Sequence, residues 1–212
     1  MMEHWTEYSR FLIALFVILD PFAAVPIFLV LTKNYSADER GRISNISAVT
    51  VFIVLVAASL TGEALLQGMG TSLASFRVGG GVVLLLMALS MLRAQTDEVR
   101  TTPAEQAEAE DRNAIAVVPL AIPLMAGPGS ISNVIIEMHR SDTEFHGILV
   151  ILSIAIVCLF LWLVLRMAGT IGRILGQTGL NIINRLFGLI LASIAVEIMA
   201  NGLKQLFPVL SG

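Results

Sequence analysis

The sequence predicts an all-α membrane protein with six transmembrane helices, arranged as two inverted three-helix repeats in which helices 1 and 4 are broken. Three observations predict it. Long apolar stretches alternate with short charged ones, a proline pair recurs in the first and fourth stretches, and matching glycine and arginine patterns open the third and sixth. Of 212 residues, 56% are hydrophobic and 14% charged, against roughly 25% charged in an ordinary soluble domain. A hydrocarbon core of about 30 Å takes roughly 20 apolar residues per helix. Six stretches reach or approach that length, at 8–31, 43–66, 76–91, 114–136, 147–167 and 186–207. The third is the shortest and is expected to extend into its flanks.

Acidic Glu3 and Glu7, rather than a basic start, lead into the first stretch, so it is expected to stay as an anchor and not to be cleaved as a signal peptide. Cys158 is the sole cysteine and lies mid-span among Ile156, Val157, Leu159 and Phe160. That excludes an intramolecular disulfide and a thiolate cluster, and marks it as a packing residue. A net charge of −3 without a long basic tract leaves no electrostatic footprint for nucleic acid.

Basic residues orient the chain, because cytoplasmic loops carry the excess of lysine and arginine. Lys33, Arg40, Arg42, Arg93, Arg100, Arg112, Arg166, Arg173 and Arg185 fall on one side, while Arg10, Arg77, Arg140 and Lys204 fall on the other. The bias puts loops one, three and five in the cytoplasm and both termini outside. Two loops carry capping-box signals, Ser36 with Glu39 and Thr102 with Glu105, the second reinforced by Pro103 at the first helical position. The stretch 95–113 reads as an acidic cytoplasmic linker. It separates a first three-helix repeat, 1–94, from a second, 114–212.

Pro21 and Pro26 stand five apart in the first span, as Pro123 and Pro128 do in the fourth. Gly70 leads to Arg77 and the run Gly79, Gly80, Gly81; Gly179 leads to Arg185 and Gly188. Three spans per half send the second half into the membrane from the opposite face. In folds of that kind, corresponding glycine- or proline-interrupted helices form a substrate site near the midplane. Each proline removes a helical hydrogen bond and crowds the preceding turn, and irregular backbone at that depth must be received by protein or a water-filled cavity. Simple kinking of packed helices is the alternative.

The substrate-binding candidates are therefore Asp20, Pro21 and Pro26 in the first half, and Gly127, Pro128, Gly129, Ser130, Ser132 and Asn133 in the second. A carboxylate as deep as Asp20 costs at least roughly 2.5 to 3.5 kcal/mol. It can cap a helix restarting at Pro21, or exchange a proton as its solvation changes during transport; the two roles are compatible. Glu197, the other deep carboxylate, is the second candidate for proton coupling. A helix beginning at Pro128 would present its positive end, with the hydroxyls of Ser130 and Ser132, to a carboxylate ligand; an interfacial cap is the plainer reading. Arg77 and Arg185 open the third spans of the two halves and either snorkel to the headgroups or gate the pathway. Gly79 to Gly81 and Gly188 permit close helix packing. His4, His139 and His146 have no partners spaced to complete a metal site, and no nucleophile elbow or phosphate loop occurs. No cofactor, metal or enzymatic activity is expected.

At these motifs the sequence resembles the MarC-type family of bacterial membrane proteins, which includes small neutral amino acid transporters and is related to the lysine exporter superfamily. The resemblance runs nearly end to end. It rests on Asp20-Pro21 with Pro26-Ile27-Phe28, on Ser75-Phe76-Arg77-Val78-Gly79-Gly80, on the run from Val118 to Pro128, and on Gly179-Leu180-Asn181 with Arg185 and Gly188. Ala23 departs from the glycine that relatives often carry, which makes the first break tighter. The resemblance implies a multi-pass protein of the bacterial cytoplasmic membrane and proton-linked movement of a small-molecule substrate, such as glycine, alanine, serine or threonine. A homo-oligomer is compatible with the chain. Rival readings are a passive channel, a lipid translocase, an intramembrane enzyme and a structural subunit.

Overall fold

The computed structural model describes residues 2–93, 125–140 and 145–211. Its described elements are helices: α1 (Met2–Leu19), α2 (Pro21–Leu31), α3 (Ala37–Gly68), α4 (Leu73–Leu92), α5 (Pro128–Met138), α6 (His146–Arg166) and α7 (Ala168–Leu206), followed by a 3-10 turn, Pro208–Ser211. Among the described residues, five segments are long and apolar enough to cross a membrane: Tyr8–Leu31, which joins α1 and α2, and α3, α4, α6 and α7. Of the expected span 114–136, residues 114–124 lie outside the described residues, and α5 covers 128–136. The linker 95–113 and Pro123 lie outside them too.

Local chemistry sets the boundaries. At α3 the Ser36 hydroxyl accepts from the Glu39 N–H at 3.4 Å while the Glu39 carboxylate accepts from the Ser36 N–H at 2.9 Å, the reciprocal box its sequence announces. The α3–α4 turn closes through Gly70, whose φ of 69° favours a residue without Cβ, and Ser72 then caps α4 at the Ser75 N–H, 3.1 Å away. The far end of α2 is held by Arg40, whose Nε and Nη2 donate to the Thr32 and Lys33 carbonyls at 3.0 and 3.2 Å. A cation there satisfies orphan carbonyls and complements the helix dipole. In α7, Gly176 (φ 58°, ψ −176°) separates 168–175 from 177–206. The helical segment therefore begins well before the expected 186. The extra piece 168–175 is glycine-rich and packs on α2, where a Cβ on Gly172 would come within 2.8 Å of Leu29.

Glycines set how the helices lie together. A Cβ on Gly81 would meet the Ala195 carbonyl oxygen at 3.0 Å and the Met199 nitrogen at 3.2 Å; one on Gly188 would meet the Ala88 carbonyl oxygen at 3.0 Å and the Leu92 nitrogen at 3.1 Å. One on Gly202 would meet the Ala74 carbonyl oxygen at 2.9 Å. The helices α4 and α7 are thus antiparallel and backbone to backbone, which only small residues permit. Gly79 differs from the expectation. Nothing lies within 4 Å of its Cβ position, because it stands two residues from Gly81, about 200° around the helix, and so turns away from the α7 seam.

Helix α5 also runs antiparallel to α4: Gly80 faces Ser132, and Gly129 faces Leu84 and Met87. The main core joins α1, α2, α3 and α6 through Leu15, Leu19, Phe28, Leu55, Ile154 and Leu161, all buried. One end of the bundle is tied by His139 Nε2 to Glu63 Oε2 at 3.0 Å and by the Tyr8 hydroxyl to His146 Nδ1 at 2.7 Å. His146 Nε2 lies 2.7 Å from the Glu137 carbonyl oxygen; since that oxygen can only accept, Nε2 carries the proton. At the other end Arg40, Arg166 and Arg173 surround one cavity. The α2–α3 and α3–α4 connections therefore lie at opposite ends.

Candidate functional site

The first span is interrupted at Asp20. Its φ of 46° and ψ of 66° are left-handed, a conformation that aspartate tolerates better than most residues. The Asp20 N–H still closes the α1 ladder on the Phe16 carbonyl at 3.1 Å. Pro21 then starts α2 with no N–H to offer, so the Val17 carbonyl loses its usual helical partner. The Asp20 carboxylate accepts from the Ala23 N–H at 3.2 Å, capping α2, and the residue is fully buried. Pro26 lies inside α2. The expected interruption running from Pro21 to Pro26 is thus confined to its N-terminal edge, at Asp20 and Pro21, and α2 continues through Pro26.

The second site segment has the same form. Helix α5 starts at Pro128 with Gly127 as its N-cap and, like α2, is 11 residues long. Gly127 makes no side-chain cap. The Ser130 hydroxyl donates to the Met125 and Gly127 carbonyls at 2.9 and 3.0 Å, so it fastens the entering strand of chain and leaves the first-turn amides uncapped by a side chain. Ser132 and Asn133 are buried. Asn133 Oδ1 has no hydrogen-bond partner among the described residues. Side chains on a helix lean toward its N-terminus, which carries the Asn133 carboxamide over the first turn of α5.

The two starts adjoin: a Cβ on Gly129 would lie 3.5 Å from Ile18 Cγ2, two residues before Asp20. Four aromatic rings flank the first break. Phe16 packs edge-on to Phe22, Phe160 and Phe187, with centroids 6.4, 4.9 and 5.7 Å away, and Phe22 meets Phe187 at 6.0 Å. Sequence reading missed this cluster, since phenylalanines inside apolar spans look alike whether they face lipid or a site.

Comparison with other proteins gives a consistent result. Residues 5–207 match the family described as MarC family integral membrane protein. The chain belongs to the MarC family. Similar relatives are the UPF0056 membrane protein YhcE of Escherichia coli (strain K12), 36% identical over 95% of this chain and 94% of the relative, and the UPF0056 membrane protein YvbG of Bacillus subtilis (strain 168), 36% identical over 94% and 95%. A UPF0056 membrane protein of Methanocaldococcus jannaschii is 37% identical over 90% and 93%. No solved structure matches the chain.

The remaining candidates of this MarC protein lie apart from the breaks. Arg77 sits beside Gly202 and Arg185 near the other end of the same antiparallel pair. Glu197 is exposed, on a face of α7 turned away from the α4 seam, and is not gathered with Asp20. Among the described residues no group of three or more His, Cys, Asp or Glu is placed to hold a metal ion.

Proposed function

We propose that this chain is a secondary transporter that moves small neutral amino acids across the cytoplasmic membrane by a proton-linked cycle, with its site between the starts of α2 and α5. The observation that carries the reading is the match of these half-helices. Asp20 and Gly127, and Pro21 and Pro128, stand 107 residues apart, the same separation as Gly81 from Gly188. Equal lengths, equal N1 prolines and reciprocal glycine contacts support two inverted repeats, the architecture in which broken helices line a midplane site.

The repeats differ where the substrate would lie. One start carries a carboxylate, Asp20; the other carries none and presents the positive end of α5. That asymmetry suits a zwitterion, its ammonium toward Asp20 and the Phe16–Phe22 rings, its carboxylate toward the first turn of α5. A buried, left-handed aspartate is also the kind of strained residue that collects at functional sites. Asp20 rather than the exposed Glu197 becomes the proton-coupling group.

Reconstitution into liposomes with labelled glycine, alanine, serine and threonine tests the reading. Saturable uptake with counterflow is expected, competed by zwitterionic amino acids but not by their N-acetyl or amide derivatives. Flux that neither saturates nor shows counterflow would make the protein a channel.

A further inference from the structure

We infer that the seam between α3 and α6 binds an anionic phospholipid, its phosphate among arginines at the membrane end and an acyl chain along the groove above. Nothing in this inference depends on the transport reading. The headgroup end is a cavity of about 550 Å3 lined by Arg40, Arg166, Arg173, Gly41, Ser44 and the single acid Asp38, among others. The charge balance favours an anion. Arg40 is committed to the Thr32 and Lys33 carbonyls, and Arg173 uses Nε on the Gly169 carbonyl at 3.2 Å. Among the described residues neither Arg166 nor Arg173 has a carboxylate partner, so both line the cavity with their charge uncompensated by an acid. A Cβ on Gly41 would approach Arg166 Nη1 at 3.4 Å, so the glycine keeps the cavity wall thin there.

The groove continues the cavity along the same two helices. It holds about 440 Å3 and is lined by Asn45, Ala48, Phe52, Ala155, Cys158 and Trp162 with two flanking aliphatics. Trp162 joins the two compartments: its ring lies 5.5 Å from the Arg166 guanidinium carbon, and its Nε1 donates to Asn45 Oδ1 at 2.6 Å. From Gly41 to Phe52 on α3, and from Arg166 to Ala155 on α6, the path rises about 16 Å at 1.5 Å per residue, about half of a 30 Å hydrocarbon core. The site thus has the depth of one leaflet, a basic mouth of the kind that binds lipid headgroups, and an interfacial tryptophan between them. A soluble anion would use the mouth but leave the groove without purpose.

Native mass spectrometry of the purified full-length protein, released from detergent with equimolar phosphatidylglycerol and phosphatidylcholine, tests the inference. Phosphatidylglycerol should be retained in preference to phosphatidylcholine, and the Arg166→Gln/Arg173→Gln double variant should lose about tenfold of that retention. Ala155→Phe, which fills the groove and leaves the mouth intact, should lower retention as well, and millimolar sn-glycerol 1-phosphate should not displace the lipid. Equal retention of the two lipids by the wild-type protein overturns the inference, with no variant required. Displacement by glycerol phosphate, with Ala155→Phe silent, reassigns the mouth to a free anion and also overturns it. Retention that neither variant alters reduces the effect to general charge attraction, with the same consequence.

Discussion

Gly81 of α4 and Gly188 of α7 occupy each other's equivalent place: each faces a carbonyl oxygen at 3.0 Å and, one turn on, a backbone nitrogen at 3.1 to 3.2 Å from its Cβ position, and the residues they face, Ala195 with Met199 and Ala88 with Leu92, are also 107 apart. Two antiparallel helices in reciprocal contact are what the proposed inverted repeats require. Matched variants should then behave alike. Gly81→Val and Gly188→Val should each destabilise the protein by about 1 to 3 kcal/mol through overpacking, whereas Gly79→Val, in open space, should stay within about 0.5 kcal/mol. Thermal inactivation of the detergent-purified variants, followed by size-exclusion chromatography, reads this. Equal damage from Gly79→Val would break the pairing.

Orientation follows from the ends of the bundle. In a Cys158→Ala background, single cysteines replacing Lys33 or Arg173 should react from the cytoplasmic side, and those replacing Thr71 or Arg140 from outside intact cells. Labelling of the Lys33 and Thr71 positions from one side contradicts the alternation; complete reversal contradicts the basic-residue assignment.

The Tyr8–His146–Glu137 chain of contacts joins the first helix to the α5–α6 connection. With Nε2 donating to the Glu137 carbonyl, Nδ1 is left to accept the hydrogen bond of the Tyr8 hydroxyl. Tyr8→Phe removes the donor and leaves a buried acceptor, which should cost about 1 to 3 kcal/mol. His146→Ala should cost more, since it also strands the carbonyl. Thermal denaturation in one detergent at one lipid content compares them, and a neutral Tyr8→Phe would remove the latch.

Much of this was legible because its signals are local. The capping box at Ser36 and Glu39, the Asp20–Pro21 restart and the spans around α3, α4 and α6 each follow from a few adjacent residues. The register between the halves was not. Pairing Pro21 with Pro123 and Pro26 with Pro128 follows the eye, but the helix starts pair Pro21 with Pro128, and the same spacing pairs Arg77 with Asn184 rather than Arg185. The usable clue was an N-cap residue directly before proline, present among the four paired prolines only at Asp20-Pro21 and Gly127-Pro128. The piece 168–175 escaped because two glycines suppress its intrinsic propensity and its packing on Leu29 is a tertiary fact. The Phe16, Phe22, Phe160 and Phe187 cluster joins four helices, and no linear spacing announces it.

The aromatic cluster makes its own prediction. Phe22→Leu keeps apolar volume but removes an aromatic ring two residues from Asp20, and should raise the KM for amino acid uptake about two- to fivefold, in line with a cation–π term of about 0.5 to 1 kcal/mol, with little change in stability. An unchanged KM would leave Phe22 as packing.

The most direct measurement of the central claim is transport by Asp20→Asn in liposomes, with and without an imposed pH gradient. Asparagine keeps the size and much of the capping capacity of aspartate while losing the titratable charge, so the variant should fold. With Asp20 as the proton-coupling group at the first break, amino acid exchange should persist while accumulation driven by the pH gradient disappears. Undiminished pH-driven accumulation by Asp20→Asn would contradict the assignment and leave Asp20 as the cap of α2.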